Sequence, residues 1–192
     1  AYEKLQKYTV KIMGDDTTEE AIRLKRYIKE HKIKNIEFLG FKSGEELEDI
    51  IKGARFTLIP SIWYDNLPNT ALESFQYSKP VIASNIGSLP ELVVDGENGY
   101  LFKPADAEDL IKKIKLLDDD TVVEKMGAAS RRRLESRFSP ETHYEALMKV
   151  FSQRVTVLAL PPLGWLLNVV RFVVCVVGFT GCVDRWKLIL LV

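Results

Sequence analysis

Cysteine, histidine and any surplus of one charge are scarce in this 192-residue chain, and each scarcity closes a class of function. The only cysteines are Cys175 and Cys182, both in the C-terminal tail. Residues 1–153 therefore hold no disulfide framework and no thiolate metal site. His31 and His143 are far apart and lack companions at metal-ligand spacing, so both read as surface residues. Lysine and arginine (27) balance aspartate and glutamate (27), which gives no basic excess for a nucleic-acid partner. The one basic run, Arg131-Arg132-Arg133, falls in a helical pattern and reads as a solvated helix face. No signal peptide opens the chain, since residues 1–8 are polar and helical in character, and the expected location is cytoplasmic.

What is present is an alternation. From Tyr8 to Phe102, short apolar runs predict strands at Thr9–Met13, Ile36–Leu39, Phe56–Ile59, Pro80–Ala83 and Gly99–Phe102. Helical patterns lie between them at Glu19–His31, Glu45–Lys52, Thr70–Tyr77 and, in short form, Pro90–Val94. Thr17 or Thr18 precedes Glu20, and Ser43 precedes Glu46, at capping spacing. Short Val-, Ile- and Phe-rich strands that alternate with helices predict an α/β fold. Its core is a doubly wound parallel sheet with the strand-end loops gathered along one edge. Three more helices, Ala107–Leu117, Thr121–Arg137 and Pro140–Phe151, are expected to cover one side of the sheet. Ser139-Pro140 opens the last of these, with serine as cap and proline at the first helical position.

Composition changes sharply near residue 153, which predicts a domain over 1–153 and an apolar tail over 154–192. From Val155 to Val183 the single charged residue is Arg171. Gly164–Val183 is close to the ~20 residues that cross a bilayer core. Against a span stand Asn168 and Arg171, the latter costing ~2.5–3.5 kcal/mol at a helix centre on insertion scales. Three readings stay open: a membrane span or surface anchor, packing against a missing partner domain, or a sequence foreign to the domain. As a surface anchor, the tail would hold the protein peripherally at the inner face of the membrane.

The most informative stretch runs from Pro60 to Glu73, directly after the apolar run Phe56–Ile59. A helix that starts at Asn69-Thr70 has first-turn amides without partners inside the helix, and they point outward with the positive end of the helix dipole. A phosphate or diphosphate suits that place without a glycine-rich loop. Glu73, a turn into the helix, can accept two hydrogen bonds from neighbouring hydroxyls, as in a ribose diol. Asp65, on the loop, can meet hydroxyls of a second sugar. The same spacing also fits a structural reading, with Asp65 capping a turn and Glu73 favouring the dipole.

The motifs around this stretch appear in order. Pro60-Ser61-Ile62-Trp63-Tyr64-Asp65-Asn66-Leu67-Pro68-Asn69-Thr70-Ala71-Leu72-Glu73-Ser74-Phe75, then Lys79-Pro80-Val81-Ile82-Ala83-Ser84, resemble the signature of family 4 retaining glycosyltransferases. Gly87-Ser88-Leu89-Pro90-Glu91 resembles the family's Gly-x-x-Pro-Glu segment, and Asp95-Gly96-Glu97-Asn98-Gly99-Tyr100-Leu101 its Asp-Gly-x-x-Gly-x-Leu turn. The resemblance covers about residues 5–152 and leaves out the tail.

It implies the C-terminal, Rossmann-like half of a two-domain GT-B enzyme, the half that binds a nucleotide-sugar donor. The family motif has two acids separated by seven residues. By resemblance Glu73 holds the ribose hydroxyls and Asp65, one methylene shorter than the usual glutamate, meets the transferred sugar. Asn69 and Thr70 offer backbone amides to the diphosphate. Gly40 and Phe41, at a strand end beside the site, are candidates to pack on the nucleobase, core packing being the other reading of Phe41, and Gly87 follows another strand end beside the donor. The resemblance implies no metal and no resident cofactor, the nucleoside diphosphate sugar being a substrate. The family's basic residues and its acceptor-binding domain have no counterpart here, because Ala1–Tyr8 resembles the end of the family's first helix. A non-catalytic nucleotide-sugar-binding module, completed by a separate acceptor domain, is the alternative reading.

Overall fold

The computed structural model describes residues 7–158 and 189–191. Five strands follow the apolar runs: β1 (Val10–Met13), β2 (Ile36–Gly40), β3 (Thr57–Ile59), β4 (Val81–Ser84) and β5 (Gly99–Phe102). The helices are α1 (Glu19–Glu30), α2 (Gly44–Gly53), α3 (Asn69–Gln76), α4 (Leu89–Leu92), α5 (Ala107–Lys115), α6 (Asp120–Arg137) and α7 (Pro140–Leu158). Two compact units result: Ala1–Glu135 with Lys187–Val192, and Ser136–Trp186.

The sheet has the order β2-β1-β6-β3-β4-β5, where β6 (Ile189–Leu191) comes from the far end of the chain. β1 pairs parallel with β2, β3 with β4 and β4 with β5, as expected of a doubly wound α/β fold. Strands therefore wind outward in opposite directions from the gap between β1 and β3. That gap is the switch point at which open α/β sheets place ligands. β6 fills it antiparallel, Lys11 opposite Leu191 and Ile12 opposite Leu190 on one side, Leu58 opposite Leu190 on the other. One strand of the tail thus belongs to the sheet. The candidate span Gly164–Val183 lies outside the described residues, as do Cys175 and Cys182. No described helix is long and apolar enough to cross a membrane.

Helices cover both faces because strand side chains alternate. Leu58, Ile82 and Phe102 face one way, into a core closed by Leu110, Ile111 and Ile114 of α5 and Met126 of α6. On the other face the buried Thr57 meets α3. Met13 packs with Ile51 and Ala54 at the end of α2. β4 is buried along its whole length, which is why Val81–Ser84 reads as a continuous rather than an alternating apolar run.

Local signals were right in part. Thr18 caps α1 by accepting from the Ala21 amide at 3.2 Å, and Ser139 accepts from the Thr142 amide at 3.2 Å before α7. Ser43 occupies the cap position of α2 but its hydroxyl makes no capping bond, and Glu46 pairs with Lys42 instead of closing a capping box. The expected solvated face Arg131–Arg133 is exposed at Arg131 and Arg132 and half-buried at Arg133, yet two of its guanidinium groups are engaged. Arg131 donates to the Gln76 carbonyl at 2.7 Å and Arg133 to the Glu91 carbonyl at 2.6 Å, so α6 holds the C-terminal end of α3 and the short α4. Asp118-Asp119-Asp120 is engaged structurally: Asp118 pairs with Lys7, Asp119 accepts from Thr121, and Asp120 pairs with Arg55.

Asp106 caps α5, its carboxylate accepting from the Asp109 amide at 3.0 Å and the Glu108 amide at 3.1 Å. The Asp109 amide bond, chiefly, holds this carboxyl below its ordinary value. A lowered folded value means that the cap contributes stability above the ordinary carboxyl range and loses it as pH falls through the folded value. The gap in unfolding midpoint between wild type and Asp106→Ala is accordingly expected to shrink below about pH 4. A gap of constant size down to acid pH would show that the cap is not charge-assisted.

Candidate functional site

Parallel strands bring their C-terminal ends to one edge, so the segments after β2, β3 and β4 share that edge. α3 starts there. Its N-cap is Pro68, which offers no side-chain acceptor, and the Ala71 amide bonds the Pro68 carbonyl at 3.0 Å. The Asn69 and Thr70 amides are left at an uncapped helix start with the positive end of the dipole.

This helix start is held by a buried polar relay. The Ser74 hydroxyl lies 2.8 Å from the Thr57 hydroxyl of β3 and 2.7 Å from the Thr70 carbonyl. Ser74 and Thr57 are both fully buried, so the bonds operate away from water and fix α3 on the strand. Neither residue was singled out from the sequence. The available signal was a serine at a core-facing position of a helix, which needs a partner once buried. Glu73 follows on the same helix, half-buried, one turn from the amides.

Between β3 and α3 the chain exposes Ile62 to Leu67 without interruption, among them Ile62, Trp63, Tyr64 and Asp65. Asp65 is brought against the β4–α4 connection. Its carbonyl accepts from the Ser88 hydroxyl at 2.9 Å and the Ser88 amide at 3.3 Å. Gly87 has φ of +60°, and a Cβ there would stand 3.1 Å from the Asp65 amide nitrogen and 3.2 Å from its carbonyl oxygen. Glycine is thus required at 87 by both backbone conformation and the close approach of the acid loop. Gly96 sits in the turn before β5, with φ of +82° and its amide bonding the Gly99 carbonyl at 2.9 Å, whereas Gly99 opens β5 itself, where a Cβ would stand 2.0 Å from the Val81 carbonyl oxygen of β4.

Gly40 and Phe41 sit apart from this group. Gly40 ends β2 with φ of +69°, and its carbonyl accepts from the Gly14 amide at 3.1 Å. Phe41 is 67% exposed and so belongs to no core. Three strand spacings separate β2 from β3, roughly 14 Å at ~4.8 Å per strand. The acids and Phe41 therefore stand at opposite ends of a stretch long enough for an extended ligand, with the α3 amides at the acid end. His31 and His143 are both exposed, and the His31 ring stacks on Tyr27 at 3.8 Å.

Residues 1–133 match the family described as Glycosyl transferases group 1. A glycosyltransferase of Methanocaldococcus jannaschii is 28% identical over 146 residues, covering 76% of this chain and 41% of that protein. The MMP alpha-(1->4)-mannosyltransferase of Mycolicibacterium hassiacum is 32% identical over 115 residues, covering 59% of this chain and 28% of its own length. Among solved structures, sucrose-phosphate synthase from Thermosynechococcus elongatus superposes with a TM-score of 0.67 at 25% identity, over 77% of this chain and 38% of the synthase. HepE of Anabaena, solved in complex with UDP, superposes with a TM-score of 0.70 at 21% identity, over 79% and 43% of the two chains. This chain spans less than half the length of each of these relatives. With the family matching more than half of its residues, the chain belongs to the group 1 glycosyl transferases and carries a Rossmann-like half of their GT-B fold.

Proposed function

We propose that this chain is the donor-binding half of a retaining glycosyltransferase that takes a glycosyl group, of hexosyl type, from a nucleoside diphosphate sugar. The observation that carries the reading is the uncapped start of α3 at the switch-point edge of the sheet, flanked by Asp65 and Glu73. HepE, a fold neighbour, has been solved with UDP and with UDP-glucose, which supports a donor of this chemical class.

In this reading the diphosphate lies on the Asn69 and Thr70 amides. Glu73 accepts from the ribose hydroxyls, Asp65 accepts from hydroxyls of the sugar to be transferred, and Gly40 with Phe41 receives the nucleobase. Transfer breaks the bond from the anomeric carbon to the diphosphate oxygen and forms one to an acceptor oxygen on the same face. The helix-start amides stabilise the charge that grows on the departing diphosphate, being fixed in place by the Ser74–Thr57 relay before the reaction begins. Neither acid forms a bond to carbon; both orient the donor. No metal or resident cofactor takes part, and the acceptor is held by polypeptide beyond this chain.

Calorimetric titration of the full chain with UDP, GDP and ADP, and with UDP-glucose, GDP-mannose and ADP-glucose, tests the proposal. One nucleotide and its sugar are expected to bind, with the same affinity in EDTA as in magnesium. An absence of binding to all six at millimolar concentration would sink it. Asp65→Ala is expected to lower the extra affinity of the nucleotide sugar over the bare nucleotide by about tenfold, the scale of hydrogen bonds to a charged acceptor. Affinity for the bare nucleotide should stay put, and equal losses for both ligands would contradict the role given to Asp65.

A further inference from the structure

The acid loop poses a problem that its own sequence does not solve. Residues 62–67 are all exposed, and among the described residues their only hydrogen bonds are the two that Ser88 gives to the Asp65 carbonyl. A loop with so few ties samples many backbone conformations, and a carboxylate on it loses orientation. Ordering such a loop on binding costs affinity, whereas holding it beforehand removes that cost.

Ser88 is well placed to do the holding. It occupies the N-cap position of α4 yet makes no side-chain capping bond to its own helix. Its hydroxyl reaches across to the Asp65 carbonyl instead, a departure from the usual use of a serine in that position. Ser88 is itself anchored. Its carbonyl accepts from the Glu91 amide at 2.9 Å, Leu89 and Leu92 are buried, and Arg133 of α6 grips the Glu91 carbonyl. A continuous set of contacts thus runs from α6 through α4 to the backbone of Asp65. Gly87 completes it by leaving room for the loop to approach.

We infer that Ser88 is a positioning residue for the donor sugar: it fixes the Asp65 backbone and thereby the direction of the Asp65 carboxylate. This rests on the reading of Asp65 as a sugar-contacting acid. Ser88 touches no ligand in this account; it acts through a main-chain carbonyl. Its hydroxyl sets the sugar increment, the ratio of nucleotide-sugar affinity to bare-nucleotide affinity, and leaves nucleotide binding alone.

The test compares Asp65→Asn, Ser88→Ala, Ser88→Thr and Gly87→Ala in the full chain, titrated with UDP and UDP-glucose or whichever nucleotide pair binds. Thermal unfolding of each variant is followed alongside. Ser88→Ala is expected to reduce the sugar increment about three- to tenfold, the worth of one neutral hydrogen bond. Bare-nucleotide affinity stays unchanged, the unfolding midpoint falls by no more than about 2–4 °C, and Ser88→Thr, which keeps the hydroxyl, restores the increment. Gly87→Ala reduces the increment by pushing on the loop directly. If Asp65→Asn lowers the increment and Ser88→Ala does not, the positioning role is overturned while the donor reading stands. An increment untouched by Asp65→Asn overturns the reading of Asp65 and this inference with it. Equal losses of UDP and UDP-glucose affinity in Ser88→Ala overturn the inference as well, since they place the effect at the phosphate site.

Discussion

Glu73→Ala in the full chain is expected to raise the dissociation constant for the bare nucleotide by about 30- to 100-fold. A carboxylate that accepts from two neighbouring hydroxyls makes two charge-assisted hydrogen bonds, each worth about 1.5–3 kcal/mol when formed and partly offset by desolvation. A net loss of about 2–2.7 kcal/mol, on that scale, corresponds to about that factor. The expected pattern differs from that of Asp65→Ala, because the ribose belongs to the nucleotide itself. Nucleotide and nucleotide sugar lose affinity together, and their ratio stays constant. Glu73→Gln separates charge from geometry: it keeps an acceptor oxygen and should recover only a fraction of the affinity. Titration calorimetry of the three proteins is sufficient. A Glu73→Ala protein that binds nucleotide as wild type does would remove the ribose role and leave the acid a favourable charge near a helix start.

The second large effect lies in the fold. Gly127 sits inside α6, where helix propensity alone would make alanine the better residue by about 1 kcal/mol. A Cβ at 127 would stand 2.1 Å from the Ser78 carbonyl oxygen and 3.0 Å from its carbon. The obstacle is backbone in the tight turn between α3 and β4, where Ser78 has φ of +55° and its amide bonds the Phe75 carbonyl. That turn cannot yield without dragging β4. Overpacking of this kind costs about 3 kcal/mol, which exceeds the propensity gain. Gly127→Ala is therefore expected to lower the thermal midpoint by several degrees, roughly 4–8 °C for a net 2 kcal/mol at this size. A raised midpoint would mean that α6 does not pack this closely on the turn. The loss should leave the nucleotide affinity of the folded protein unchanged, which separates it from Glu73→Ala.

Both predictions draw on a fold whose elements were largely legible beforehand. β1 to β5 fall within one residue of the apolar runs; β3 and β4, buried on both faces, leave continuous apolar segments between polar turns. The start of α3 was legible from Pro68-Asn69-Thr70, and with it the place of Asp65 and Glu73 along the chain. Ser88 and the Thr57–Ser74 pair were not, and the reason is distance in sequence. Ser74 finds its partner 17 residues away and Ser88 finds Asp65 23 residues away. Nothing local marks such a pairing. The same holds for Arg131 and Arg133, whose guanidinium groups look solvated on a helical wheel and reach carbonyls 55 and 42 residues distant. Ser43 failed in the opposite sense: the local capping spacing was present, but Lys42 took the Glu46 carboxylate.

The sequence by itself determined the α/β class, the family and the order of the site segments, since periodicity and motif spacing are local properties of the chain. Only the tertiary structure decided how those segments are held against one another. It drew the Asp65 loop onto Ser88, seated α3 on Thr57, and threaded Ile189–Leu191 of the apolar tail into the switch point between β1 and β3. Each of these rests on a hydrogen bond whose two ends meet only once the sheet has formed. The strand from the tail shows this most plainly, for pairing partners in a sheet are set by packing rather than by position in the chain.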